Sequence, residues 1–137
     1  MPAEESKDTV RCLINILNTR DLSQLDQICD HQMVYRANFE VAAPDLETHK
    51  GLLQKSYASF PDLEFTIEEL FAEGDKAHMI YKMVGTHKNE YMGIPASNNK
   101  VEHAGSSVVT LKDGKIIEQH DFYDTLAFLK QLGAISG

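Results

Sequence analysis

Lys100-Val101-Glu102-His103-Ala104-Gly105-Ser106-Ser107-Val108-Val109-Thr110-Leu111 and Lys115-Ile116-Ile117-Glu118-Gln119-His120-Asp121-Phe122-Tyr123 flank Lys112-Asp113-Gly114. Two runs rich in β-branched side chains around such a tripeptide predict a β-hairpin. The second run leads directly into Asp124-Thr125-Leu126-Ala127-Phe128-Leu129-Lys130-Gln131-Leu132-Gly133, a short amphipathic helix. Two carboxylates three residues apart, Asp121 and Asp124, sit at this junction and call for different explanations.

Two registers are open for the hairpin. A two-residue Asp113-Gly114 turn pairs Lys112 with Lys115 and sets Asp121 opposite Ser106. A three-residue loop with Gly114 left-handed pairs Leu111 with Lys115, Val109 with Ile117, Ser107 with Gln119 and Gly105 with Asp121. The second matches apolar with apolar and polar with polar, and is preferred. It puts His103, Ser107, Gln119, Asp121 and Tyr123 on one face, with Gly105 opening space in front of Asp121. Asp124 stands where an N-cap accepts from a first-turn amide, and Gly133 closes the helix. Asp121 has no such structural duty: it is either a solvated residue near a sheet end or a functional acid.

Upstream, Val10, Leu13, Ile14 and Leu17 fit one helical face over Asp8–Thr19, after a polar start expected to be a flexible tail over residues 1–8. Asp21 with Gln24 predicts a capping box and a second helix carrying Leu22, Leu25 and Ile28. Met33–Ala37 reads as a brief strand, and its Tyr35 as either a half-buried core aromatic or a ligand contact. Ala42–Asp45 reads as a loop, and His49, just ahead of the next helix, as a solvated loop histidine. A third helix is expected from near Gly51 to Phe60, stopped by Pro61. Leu63, Phe65 and Ile67 then alternate, and a slip at Glu68-Glu69 predicts a bulge before Leu70-Phe71. After a Gly74-Asp75 turn comes a long strand apolar on both faces, through Met79, Tyr81, Met83 and Gly85. Such a strand must cover a cavity or a partner on one side. Tyr91-Met92-Gly93-Ile94-Pro95 reads as an exposed apolar loop. Three helices, then a strongly curved antiparallel sheet, then a closing helix make an α+β architecture in one domain.

With 137 residues the chain has room for one core or one ligand cavity. The formal charge of −8 argues against nucleic acid and acidic membranes as partners. A polar start and the lack of any long apolar run predict a cytoplasmic protein. Cys12 and Cys29 are expected to be buried free thiols. Ser106 and Ser107 lack a nucleophile elbow, and no Gly-rich loop precedes a helix, so acyl transfer and phosphate binding are disfavoured. His120 and Asp121 point to opposite faces of a strand, so neither a metal nor another cofactor is expected. What remains is proton transfer by a carboxylate shielded by Phe65, Met79, Met83 and Tyr123, whose burial raises its pKa. Ketosteroid isomerase works this way, with an aspartate base in an apolar site.

Phe60-Pro61-Asp62-Leu63, Gly85-Thr86-His87, Gly93-Ile94-Pro95, Asp113-Gly114-Lys115-Ile116 and Gln131-Leu132-Gly133, in this order, resemble the SnoaL-like polyketide cyclases. The resemblance implies the cystatin-like cone of the NTF2-like superfamily and a homodimer formed through the sheet. It also implies a cofactor-free aldol ring closure of a polyketide ester, with Asp121 as the general acid/base. Gly105, Ser107 and Gln119 stand where characterised cyclases carry a glutamine and two histidines. His103 shares that face, about 13 Å beyond Ser107. The resulting expectation is a cyclase or isomerase with Asp121 catalytic and Tyr35, His103, Ser107 and Gln119 at the substrate. The alternative is a non-catalytic module binding a hydrophobic small molecule.

Overall fold

A computed structural model describes residues 2–135. The first helix, α1 (Ala3–Thr19), starts well before Asp8, so the expected tail is largely helical. Glu4 and Glu5 lie in its first turn, where carboxylates favour the positive end of the helix dipole. Ser6 is fully buried and its hydroxyl donates to the Gly74 carbonyl (2.7 Å), tying this end of the helix to the sheet. Val10, Leu13, Ile14 and Leu17 are buried as the spacing predicts. Cys12 is exposed, contrary to expectation, because it falls off that stripe.

The segment after Asp21 is a single 3-10 stretch, Leu22–Gln27, rather than a helix with a capping box. The Asp21 carboxylate accepts from the Ser23 and Gln24 side chains. Two strands then precede the next helix: β1 (Cys29–Ala37) and β2 (Glu40–Ala43), joined through left-handed Asn38 and Phe39 (φ 49° and 75°). Helix α2 (Leu46–Ser59) begins where the Asp45 side chain accepts from the Thr48 amide (2.8 Å), five residues before Gly51. This earlier start brings His49 inside the helix.

Strands β3 (Glu64–Glu73), β4 (Lys76–Thr86), β5 (Lys100–Lys112) and β6 (Lys115–Tyr123) complete one curved six-stranded sheet in the order β2-β1-β6-β5-β4-β3. All its pairs are antiparallel except β1 with β6. The expected bulge is present: Ile67 pairs with Tyr81 but Glu69 with Ile80, leaving Glu68 extra. Phe65 and Ile67 before it, and Leu70 and Ala72 after it, therefore all face α1.

The β5–β6 hairpin takes neither expected register throughout. Asp113 and Gly114 (φ 52° and 80°) form a two-residue turn, and Lys112 pairs with Lys115 and Leu111 with Ile116. Thr110 then pairs with Glu118, so Ile117 is an extra residue on β6. Beyond this bulge Val109 faces Gln119, Ser107 faces Asp121 and Gly105 faces Tyr123. The expected set of inward residues survives, because a shift of two positions keeps each side chain on its face. The expected partner of Asp121 does not: it is Ser107, and Gly105 lies two pairs further on, opposite Tyr123.

Helix α3 (Thr125–Gln131) closes the open end of the cone, and Asp124 caps it by accepting from the Ala127 amide (3.0 Å). Asp124→Ala is expected to lower stability by about 1 kcal/mol in urea unfolding, with the Asp121 site intact. Two buried clusters result. One joins α1 and the 3-10 stretch to β4, β5 and β6, and the other gathers Phe60, Leu63, Val101, Phe128 and Leu132 beneath α3. Between them the cone is hollow. Among the described residues no helix is long and apolar enough to cross a membrane.

Candidate active site

The hollow is a cavity of about 410 Å³. Ile14 and Leu17 of α1, Leu53 of α2, Phe65, Met79 and Met83 of the sheet, and Phe128 of α3 supply its apolar walls. Tyr91, Met92 and Ile94 line its rim from the loop between β4 and β5. That loop is only partly exposed as expected: Met92 is 82% exposed, whereas Tyr91 and Ile94 pack on the cluster around Phe60. The loop is anchored by His87, which is fully buried and joined through Nδ1 to Ser97. A neighbouring depression of about 590 Å³ shares Tyr35, His49, Tyr91 and Tyr123 with the cavity and extends it toward α2 and β2.

Asp121 sits in the wall of this cavity, 8% exposed. The Tyr35 hydroxyl donates to its Oδ2 (2.7 Å), and the Gln119 side-chain amide donates to Oδ1 (3.2 Å). Tyr35 reaches it because β1 runs parallel to β6, with Tyr35 beside Gln119 and Ala37 beside Asp121. Burial raises the Asp121 pKa, while its Ser107, Tyr35 and Gln119 neighbours oppose the rise. Burial wins, so this acid holds its proton to higher pH than an exposed aspartate. Burial and the Asp121 charge together hold the Tyr35 proton far more tightly than usual, so Tyr35 remains a donor.

The other expected site residues divide. His103 lines the cavity, half-buried, with its ring centroid 5.1 Å from that of Phe128. Burial lowers its pKa. Gln119 lines the cavity too, but its donor is engaged with Asp121. Ser107 is fully buried and outside the cavity lining. It faces Asp121 from β5, yet its hydroxyl makes no hydrogen bond of ordinary geometry; its proximity still favours the ionised carboxylate.

His49, expected in solvent, is 5% exposed, lines the cavity and stacks on Tyr35 with ring centroids 4.2 Å apart. Burial pushes its pKa down to about 4, so its ring is neutral at pH 7. The Asp45-x-x-Thr48 cap was the signal for this: a helix starting at Leu46 carries His49 inward. Among the described residues, Asp26, His31 and Glu47 alone approach a cation-binding spacing. All three are exposed, and Lys50 already bridges Asp26 (3.0 Å) and Glu47 (3.3 Å). None of them lines the cavity.

A curved sheet backed by helices, hollow at one end and carrying a buried acid in the wall, is the NTF2-like cone. The chain matches the model of the SnoaL-like polyketide cyclase family over residues 7–132, and it belongs to that family. A SnoaL-like protein of Jannaschia sp. CCS1, provisionally named a polyketide cyclase, has the same fold. The two are 22% identical with a TM-score of 0.89, over 98% of this chain and 95% of that one. IdmH of Streptomyces antibioticus, also provisionally named a polyketide cyclase, is 27% identical with a TM-score of 0.81, over 93% of this chain and 98% of that one. AclR of Streptomyces galilaeus, provisionally named a hydroxylase, is 22% identical with a TM-score of 0.86, over 98% of this chain and 88% of that one. No curated protein is similar enough in sequence to count as a relative.

Proposed function

We propose that this protein is a cofactor-independent cyclase in which Asp121 is the general acid/base. The carboxylate takes a proton from the carbon next to a ketone or ester carbonyl, leaving the electron pair in an enolate. The enolate carbon attacks a second carbonyl of the same molecule, forming a carbon–carbon bond, and the resulting alkoxide recovers the proton from Asp121. The observation that carries this reading is the placement of Asp121: a buried carboxylate with a raised pKa, facing an apolar cavity and held by the Tyr35 hydroxyl at 2.7 Å. A base of this kind matches its proton affinity to the working pH more closely than a solvated aspartate does. A hydrophobic, carbonyl-bearing substrate suits the walls. The homodimer implied by family resemblance would use the outer sheet face, where Phe71 is 56% exposed.

Proton abstraction is testable without the natural substrate. Polycyclic β-keto esters incubated with the protein in deuterated water should gain deuterium at the acidic carbon faster than in buffer. The rate should climb with pH as Asp121 ionises. Saturable binding of these probes with exchange at the buffer rate would instead identify a non-catalytic binding module.

A further inference from the structure

Carbon-acid chemistry needs a second group besides the base, because charge that develops on the carbonyl oxygen must meet a hydrogen-bond donor. Three of the four groups that the sequence pointed to are committed elsewhere, while the fourth, His103, stays on the cavity wall against Phe128 with its Nδ1 unpartnered. Tyr35 and Gln119 both donate to Asp121, and Ser107 is sealed outside the cavity lining.

Tyr81 answers this need. It lies on β4 directly across from Gly105, which on its other side faces Tyr123. It is 6% exposed and lines the cavity, with the Phe65 ring against it at 6.2 Å between centroids. Among the described residues its hydroxyl has no hydrogen-bond partner. A hydroxyl that opens on the cavity without a protein partner is free to donate to a ligand there. Burial first, and the nearby Asp121 charge second, keep its proton on the oxygen.

Gly105 explains how the phenol comes to lie there. A Cβ at position 105 would fall on the Tyr81 ring, 2.9 Å from Cε1 and closer still to Cζ and the hydroxyl oxygen. Backbone φ is not the reason for this glycine, since it is absent from the positive-φ residues. The space itself is the reason: the missing side chain at 105 is the seat of the Tyr81 phenol.

We propose that Tyr81 is a catalytic residue whose hydroxyl donates to the substrate oxygen on which charge develops, and that Gly105 is its positioning residue. The inference rests on the reading of Asp121 as the base. Tyr81→Phe is therefore expected to lower kcat for deuterium exchange by about 10²–10³-fold, the effect of losing one oxyanion donor, with KM little changed. Gly105→Ala, which pushes the phenol aside, should also lower kcat in the wild-type background. It should add little further loss in a Tyr81→Phe background, a coupling that damage to packing alone would not produce.

Tyr81→Phe exchanging within about twofold of wild type, while Asp121→Asn is inactive, would overturn the role of Tyr81 and leave the base in place. An active Asp121→Asn would instead remove the reading on which both stand. Equal losses from Gly105→Ala in the two backgrounds would refute positioning. Should Gly105→Ala fail to fold, Tyr81→Phe, which removes a single oxygen, still decides the main claim.

Discussion

Asp121→Asn is expected to cut deuterium exchange by about 10²–10⁴-fold, the usual contribution of a positioned general base. The amide keeps the shape of the carboxylate and can still accept from the Tyr35 hydroxyl, which now donates to Oδ2 at 2.7 Å. Probe binding should therefore persist while turnover goes. The same variant should gain stability at neutral and alkaline pH. The folded-state pKa of Asp121 is raised above its unfolded value by burial, so the folded form binds more protons between the two pKa values. Stability therefore falls as pH rises through that window, and the penalty is fully present above the folded-state pKa. Asparagine carries no such penalty. Melting curves of wild type and variant should diverge above the window, with the variant higher, and converge toward pH 3. A variant melting lower than wild type at pH 8 would show that the ionised acid is net stabilising and that its partners outweigh burial.

Phe60→Ala should produce the largest loss of stability, about 3–5 kcal/mol. Phe60 is 1% exposed and joins the loop between β4 and β5 to α3. Its ring stacks on His87 (5.4 Å), meets Tyr91 edge-on (5.4 Å) and meets Phe128 of α3 (6.1 Å). The absent side chain of Gly85 admits it: a Cβ there would come within 3.2 Å of the Phe60 Cβ. Truncation to alanine would join the lost volume to the cavity, so collapse around it cannot recover the contacts. Urea unfolding read against wild type measures the loss, and an effect below about 1 kcal/mol would mean that α3 does not depend on this ring.

The hairpin and the closing helix were legible because each has a short-range cause. Asp124 next to an apolar helical stripe predicts a cap, and β-branched runs around Asp113-Gly114 predict paired strands. The bulge at Glu68 was legible too, since the alternation of Phe65 and Ile67 visibly slips before Leu70. The strand β2 was not: Glu40, Val41 and Ala42 are all exposed at a sheet edge, and a strand without a buried face leaves no alternation. The place of His49 was lost with the start of α2. The fate of Gly105 was hidden for another reason. Its space is filled by Tyr81, a residue 24 positions away, and only the register of β4 on β5 brings the two together.

The extra residue at Ile117 sets a counting rule for this family member. From the Asp113-Gly114 turn to Asp121, the chain reaches the correct wall only because one residue is left out of the pairing. An insertion or deletion of a single residue in that interval would turn the acid outward and present His120 or Phe122 to the hollow. Changes of two would leave the polarity intact. Length variation between turn and acid is thus confined to even steps, unless another looped-out residue arises to restore the parity.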